Sequence, residues 1–208
     1  MTILALEFSS EQRSVALARG GVPLAEANAT GGRDTKAFAL IEKVLSAAKV
    51  LREEIEAVAV GLGPGSYMGI RAAIALAQGW QLARGVKLLG VSSVEALAAQ
   101  AQAAGIFGRV NVVVDAQRGE FYLATWEISA AAREEIAPLK IVTAQELVGR
   151  KLAGDICVGP AAEMPLCPTA AMLAHLAAER TDFLAGQNLT PIYLRETSFV
   201  KAAPGRIF

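Results

Sequence analysis

The sequence is poor in the side chains that most catalytic and metal sites require. His175 is its single histidine, and it lies in an apolar stretch. A metal site needs several ligands, so histidine-based metal centres are excluded, as are most serine hydrolase mechanisms. Cys157 and Cys167 lie ten residues apart without a CxxC spacing, which indicates reduced packing residues and not a disulfide or a metal site. No metal ligands are therefore predicted.

Net charge and long apolar runs are also missing. Twenty basic and twenty acidic residues cancel, so no overall field draws the chain to nucleic acid or to an anionic membrane. No segment reaches the roughly 18 uninterrupted apolar residues of a membrane span, and the N-terminus has no basic region before a long apolar run. We therefore expect a cytoplasmic protein without a membrane partner, which works on nucleic acid only together with another protein.

What the sequence does contain is a large apolar fraction, 53% of its residues, arranged in patterns typical of strands and helices. Two strand-like runs joined by a short polar turn predict an opening hairpin over residues 2–8 and 13–19. Further strands are predicted at 22–27, 55–60 and 87–91. Helices are predicted at 35–50, with Asp34 as N-cap, at 70–83, and from Ser92 or Ser93 to about residue 104.

The same pattern starts again about a hundred residues after the first hairpin. A second hairpin is predicted over residues 110–115 and 120–126. Two successive hairpin-led α/β units indicate a duplicated architecture, so we divide the chain into residues 1–104 and 105–208. The remaining predicted elements are strands at 140–143 and 156–158, helices at 144–152 and 169–179, and an extended segment at 191–195.

The stretch from Gly61 to Arg71 places four glycines and a proline between a predicted strand and a predicted helix. Because glycines permit unusual backbone angles and helix N-termini attract anions, a phosphate cradle is one interpretation. The stretch lacks the third glycine of a dinucleotide loop and the lysine of a P-loop. A turn that lets the helix pack closely on a sheet is therefore favoured. Ser66, Tyr67 and Arg71 could contact an anion at the start of the helix. In the alternative interpretation, Ser66 caps the helix and Arg71 is solvated or paired with an acidic group.

Glu7 and Asp115 each end a strand that enters a hairpin, one in each half. Two carboxylates across a shared cleft could hold a hydrated magnesium ion or act as a base. Capping of the turn is the simpler role, which we favour for Glu7, whereas both roles stay open for Asp115. Gly159 follows the strand predicted at 156–158 and marks either a close backbone approach to a ligand or a plain turn.

The helix predicted over residues 70–83 is apolar nearly all the way round. The helix at 35–50 likewise has a broad apolar stripe. Exposing several hundred square ångströms of such surface would be abnormal for a monomer. The surplus is therefore covered either by another part of this chain or by another protein.

Five short motifs follow one another along nearly the full chain. They are ILALEFSS at 3–10, GPGSYMGIR at 63–71, GVSSVEAL at 90–97, DAQRGEFY at 115–122 and PIYLR at 191–195. Together they resemble the TsaB (YeaZ) family, which serves the synthesis of threonylcarbamoyladenosine in tRNA. The second and third motifs are the most specific. Two positions depart from the family pattern, since Glu7 replaces an aspartate and Tyr67-Met68 replaces Phe-Thr.

The resemblance implies the ASKHA fold of actin, sugar kinases and Hsp70, which agrees with the duplicated units. It implies a non-catalytic subunit that pairs with a TsaD-like enzyme, is joined by a TsaE-like ATPase and meets tRNA only through the complex. The chain would have no cofactor of its own, with ATP or ADP at the interface of the complex. The implied pairing surface consists of Phe38, Ile41, Val44, Leu45, Ile70, Ala73, Ala77 and Trp80.

Two other interpretations stay open. A small ASKHA phosphotransferase would use Glu7 and Asp115 around magnesium ATP. A homodimer without an enzyme partner would use the same two helices, and an isolated TsaB-like chain is expected to self-pair. The candidate vestigial nucleotide or phosphate contacts are Glu7, Ser9, Gly63, Gly65, Ser66, Asp115, Gly119 and Gly159.

Overall fold

The computed structural model describes residues 1–31 and 36–195, in which the strands form one sheet of five strands and one of four. Each sheet opens with an antiparallel hairpin and receives a parallel strand beside the first strand of that hairpin. The predicted duplication of hairpin-led units is confirmed at this level. The proposed helix cap Asp34 lies outside the described residues.

The first sheet has the strand order β3-β2-β1-β4-β5. Its central strands β1 and β4 are buried along their whole length because helices cover both faces of the sheet. Near-continuous apolar sequence is what such strands need. The bounds are β1 Thr2–Glu7, β2 Gln12–Arg19, β3 Val22–Thr30, β4 Ala57–Gly61 and β5 Lys87–Val91.

Three helices cover the two faces of the first sheet. Helices α1 (Ala37–Ala48) and α2 (Tyr67–Arg84) share one core with it, and α5 (Ala170–Ala177) packs on the opposite face. A short 3₁₀ helix, Arg52–Glu54, lies between α1 and β4. Helix α2 begins before the predicted residue 70, because the Ser66 hydroxyl accepts a hydrogen bond from the Gly69 N–H and caps the helix.

The second sheet has the strand order β8-β7-β6-β9. Its strands are β6 Gly108–Asp115, β7 Glu120–Ile128, β8 Arg133–Thr143 and β9 Ile156–Val158. Helix α3 (Ser93–Ala103) packs on one face, and α4 (Ala144–Leu152) follows β8. Strand β8 starts well before the predicted residue 140. Its first residues are charged and exposed, and an edge strand tolerates this pattern.

After α5 the chain returns to the first half. Leu184 forms a bridge with Leu88 of β5, and a 3₁₀ helix follows at Gly186–Asn188. The extended segment predicted at 191–195 forms no ladder, although the Ile192 N–H donates to the Leu62 carbonyl. Elements therefore cross between the halves, since α3 packs on the second sheet and α5 on the first. The division at residue 104 stays a prediction.

Candidate functional site

A cleft of about 1030 Å³ opens between the turns of the two hairpins and the glycine loop before α2. It collects five of the eight residues predicted as vestigial nucleotide or phosphate contacts. These five are Ser9, Gly65, Ser66, Asp115 and Gly119. Whether they contact a ligand stays a prediction, but the fold does bring them to one place.

The glycine loop reaches the cleft by pressing against the turn of the first hairpin. A Cβ added to Gly65 would lie 2.1 Å from the Ser9 carbonyl oxygen, and the Gly65 φ of +147° also disfavours a side chain. The Ser66 N–H donates to that same carbonyl over 2.7 Å. Of the two roles left open for Ser66, the structure shows helix capping. The close approach of backbone to backbone explains the glycine at position 65 without a ligand.

Glu7 lies outside the cleft lining, which disfavours the alternative in which it shares a site with Asp115. Its side chain is fully buried. One carboxylate oxygen accepts from the Ser9 N–H over 2.6 Å and the other from the Ser93 hydroxyl over 2.8 Å. Burial raises the pKa of Glu7 above 4.5, against the opposing effect of these hydrogen bonds. Capping of the turn, the role favoured from sequence, is confirmed.

Asp115 is exposed at the cleft and caps the turn of the second hairpin. Its carboxylate accepts from the Gln117 N–H over 2.7 Å and from the Gln117 side-chain amide over 2.9 Å. Gln117, Arg118 and Gly119 all have positive φ, an uncommon conformation for the first two. This turn, with its positive φ angles, therefore places Arg118 and Asp115 in the lining of the cleft.

Gly63 and Gly159, two of the candidate vestigial contacts, also lie outside the lining. A Cβ on Gly63 would lie 2.5 Å from the Ile70 side chain, and one on Gly159 would lie 2.3 Å from the Val113 carbonyl oxygen. The backbone contact therefore requires a glycine at position 159, whereas at position 63 the φ of +83° disfavours any other residue.

The sequence analysis missed an aromatic cluster at the mouth of the cleft. Tyr67, the first residue of α2, stacks on Tyr193 with ring centroids 5.5 Å apart, and the Arg71 guanidinium lies over the Tyr67 ring. Arg71 also donates to the Tyr67 hydroxyl over 3.0 Å. Burial, and after it the neighbouring Tyr67, raise the pKa of Tyr193 above its usual value. The hydrogen bond with Arg71 opposes this rise without cancelling it. Tyr193 belongs to the PIYLR motif, but nothing in the sequence indicates that position 193 contacts position 67.

Most of the residues predicted for the pairing surface on α1 and α2 are wrong. Six of its eight side chains are buried inside this chain, against the first sheet: Ile41, Val44, Leu45, Ile70, Ala73 and Ala77. Trp80 is half-buried against the same core. Only Phe38 is strongly exposed, at 69%. The direction was wrong because a helix that is apolar all round gives no sign of which side meets the sheet.

A different set of residues faces outward on α2. Met68 and Leu82 are 65% and 90% exposed, and small residues lie between them. We call this set the α2 stripe: Met68, Ala72, Ala75, Gly79 and Leu82. Its spacing of four, three, four and three residues is the seam of a helix that packs against another helix.

Metal-binding clusters and membrane-spanning helices are both absent from the residues that the structure describes. Nowhere in residues 1–31 and 36–195 do three His, Cys, Asp or Glu side chains gather in a way that could hold a metal ion. In the same ranges, each helix falls short of the length and apolar character needed to cross a membrane. His175 is exposed on α5.

Comparison with known proteins identifies relatives along most of the chain. The family model for TsaD, tRNA N6-adenosine threonylcarbamoyltransferase, matches residues 6–189. The tRNA threonylcarbamoyladenosine biosynthesis protein TsaB of Escherichia coli (strain K12) is 32% identical over 61% of this chain and 55% of its own length. The protein of the same name from Bacillus subtilis (strain 168) is 27% identical over 66% of this chain and 60% of its own. The matched region thus spans little more than half of these curated relatives.

A solved structure extends the likeness to the fold. A Pseudomonas aeruginosa protein with similarity to peptidase YeaZ superposes with a TM-score of 0.78 and 25% identity, over 93% of this chain and 99% of that one. The predicted α/β fold with two hairpin-led units is confirmed, and its classification as an ASKHA fold stays a prediction. The matches to the family model, to the two TsaB proteins and to this structure agree, and the chain belongs to the TsaD family of tRNA N6-adenosine threonylcarbamoyltransferases, as one of its TsaB (YeaZ) members.

Proposed function

We propose that this chain is a non-catalytic scaffold subunit for threonylcarbamoyl modification of the adenosine next to the anticodon in tRNA. It pairs with a TsaD-like enzyme, is joined by a TsaE-like ATPase and contacts tRNA through the complex. It has no cofactor of its own, and ATP or ADP sits at the interface of the complex. Membership of the family, and the names of the E. coli and B. subtilis relatives, support this assignment.

The α2 stripe is the observation that carries the proposal. Its ends, Met68 and Leu82, are large apolar side chains. Their burial against a partner would stabilise the complex by about 25 cal/mol per Å² of apolar surface removed from water. Its middle consists of Ala72, Ala75 and Gly79, which let a second helix approach closely. A Cβ added at Gly79 would meet no atom within 4 Å, so packing inside the chain does not require this glycine.

The neighbouring helix adds to the same side of the molecule. Helices α1 and α2 pack on one face of the first sheet, and Phe38 of α1 is exposed. Two helices with apolar outward residues form half of a helical bundle, which a pair of helices from a partner would complete. A scaffold subunit needs such a surface, whereas a phosphotransferase that relies on Glu7 does not agree with the burial of that carboxylate.

A charge placed in the middle of the α2 stripe tests the proposal. Ala75→Glu would bury an unpaired charge in the contact and should weaken binding of the TsaD-like protein from the same genome by about a hundredfold or more. Ala75 is exposed in the isolated chain, so the variant should fold normally. Ala131→Glu, at an exposed position in the β7–β8 turn, is the matched control and should bind like wild type.

Isothermal titration of the two proteins measures the affinity, and tRNA modification reconstituted with the TsaE-like ATPase measures the function. Loss of both in Ala75→Glu, with both kept in Ala131→Glu, is the expected result. Wild-type affinity in Ala75→Glu would contradict the surface. A wild-type chain that forms only homodimers and never binds the enzyme would contradict the scaffold role.

A further inference from the structure

Residues 184–195, which we call the strap, leave the second half of the chain and run beside α2. The Leu184 N–H donates to the Leu88 carbonyl over 2.9 Å. Gly186 is held from both sides, since its N–H donates to the Gln81 side chain and its carbonyl accepts from Gln78, both over 2.8 Å. The strap is therefore fixed to the flank of the helix that carries the α2 stripe.

The end of the strap reaches the first turn of the same helix. The Ile192 N–H donates to the Leu62 carbonyl over 2.9 Å, in the loop that leads to α2. Tyr193 then stacks on Tyr67, next to Met68 of the α2 stripe. The first turn of a helix has few hydrogen bonds of its own, so contacts of this kind decide how firmly it is held.

Arg195 fixes the other end of this arrangement to the second sheet. Its guanidinium donates to the Ala116 carbonyl over 3.1 Å and pairs with the Glu120 carboxylate. Ala116 and Glu120 flank the turn of the second hairpin, which lines the cleft. A continuous series of contacts therefore runs from the second hairpin through Arg195 and Tyr193 to the start of α2.

We propose that Arg195 is a positioning residue for the binding of the partner. By holding the strap on Ala116 and Glu120, it keeps Tyr193 on Tyr67 and the first turn of α2 in the conformation that the partner requires. This inference rests on the proposed function, because the partner surface is the α2 stripe. Its physical basis is preorganisation, since a helix end that is already ordered loses less entropy on binding.

A positioning role for Arg195 differs from a general stabilising role because it predicts an unchanged global stability. Arg195 and Glu120 are 31% and 40% exposed, and pairs of this exposure contribute little to global stability. Removing the guanidinium should therefore leave the unfolding transition nearly unchanged. It should instead loosen residues 62–72, which include Leu62, Tyr67 and Met68, and weaken the partner complex.

The experiment uses the full chain and the TsaD-like protein, with Arg195→Ala, Arg195→Glu and the charge exchange Arg195→Glu with Glu120→Arg. Arg180→Ala is the matched control, because Arg180 pairs with Asp182 elsewhere on the chain and is 30% exposed. Hydrogen exchange of residues 62–72 in the isolated chain and the Kd of the complex are measured.

We expect faster exchange at 62–72 and an increase in Kd of about fivefold in Arg195→Ala, at the low end of typical coupling between sites. The charge exchange should restore both values in part, since it renews the ion pair with position 120 but not the hydrogen bond to the Ala116 carbonyl, and it would restore no affinity if Arg195 itself touched the partner. Arg180→Ala should change neither. Unchanged exchange at 62–72, or an unchanged Kd, overturns the inference. If the wild-type chain binds no partner, the proposed function fails, and the exchange data alone still decide whether Arg195 holds the start of α2.

Discussion

The two hairpin-led units end their first strands with a carboxylate, and they give it opposite surroundings. Glu7 ends β1 and is fully buried, whereas Asp115 ends β6 and is exposed at the cleft. In the first unit Ser93 at the start of α3 and the glycine loop close over the carboxylate. A repeated backbone topology therefore does not fix the electrostatic role of a residue. The layers packed around it do.

The contrast between the two units can be tested first at one glycine in each unit, which lies against the backbone of that unit's hairpin. Gly65→Ala and Gly159→Ala would place a Cβ 2.1 and 2.3 Å from a carbonyl oxygen, at φ values of +147° and +130°. Each should lower the free energy of unfolding by about 3–4 kcal/mol, among the larger effects of single substitutions. Urea unfolding followed by circular dichroism measures it.

Gly79→Ala is the control, since its Cβ would meet no atom within 4 Å inside a helix. It should raise the free energy of unfolding by about 0.5–1 kcal/mol. A Gly159→Ala protein as stable as wild type would mean that the second unit does not depend on this contact.

The two carboxylates provide the next test. Glu7→Ala leaves the Ser9 N–H and the Ser93 hydroxyl without their buried acceptor, and we expect a loss of about 3 kcal/mol in the free energy of unfolding. Asp115→Ala removes a cap from an exposed turn and should cost less than about 1 kcal/mol. Equal losses in the two variants, measured by urea unfolding at neutral pH, would contradict the contrast between the units.

The most gradual of the predicted effects is a dependence of stability on pH. The pKa of Glu7 is raised by burial above 4.5, so the folded protein holds this proton more firmly than the unfolded chain. The contribution of Glu7 is therefore complete below pH 4.5 and is lost as pH rises through the folded pKa, with a slope of up to about 1.4 kcal/mol per pH unit.

Glu7→Gln removes this titration and should flatten that part of the profile, measured by urea unfolding at pH intervals. Asp115→Asn, which keeps Glu7, should retain it. A decline of wild-type size in the Glu7→Gln protein would assign the effect to other groups.

Much of the fold could be predicted because local patterns and global packing agree in it. The apolar runs of β1 and β2, and the glycines and proline of the loop before α2, lie in windows of about ten residues. What could not be predicted was which side of a helix faces the sheet. In α2, Ala73 faces the sheet and Ala75 faces outward, and their identical side chains give no sequence signal of which does which.

The candidate site was predictable only in part for a similar reason. Sequence order brings Ser9, Gly65 and Asp115 into hairpins and loops, and the topology then places them at one cleft. The burial of Glu7 depends on Ser93, 86 residues away, and the stack of Tyr67 on Tyr193 joins the start of α2 to the end of the strap. Contacts over such separations leave no pattern within a window of sequence.

The position of α5 has a consequence for how the chain is made. Ile3, Ala5, Ala16 and Ala18 lie on the face of the first sheet that α5 covers. During synthesis at roughly 5–20 residues per second, that face waits on the order of ten seconds before residue 170 follows. Strands β1 and β2 are thus covered on this face only after all strands of the second sheet have been made, and until then the nascent chain carries an open apolar sheet face that chaperones can bind.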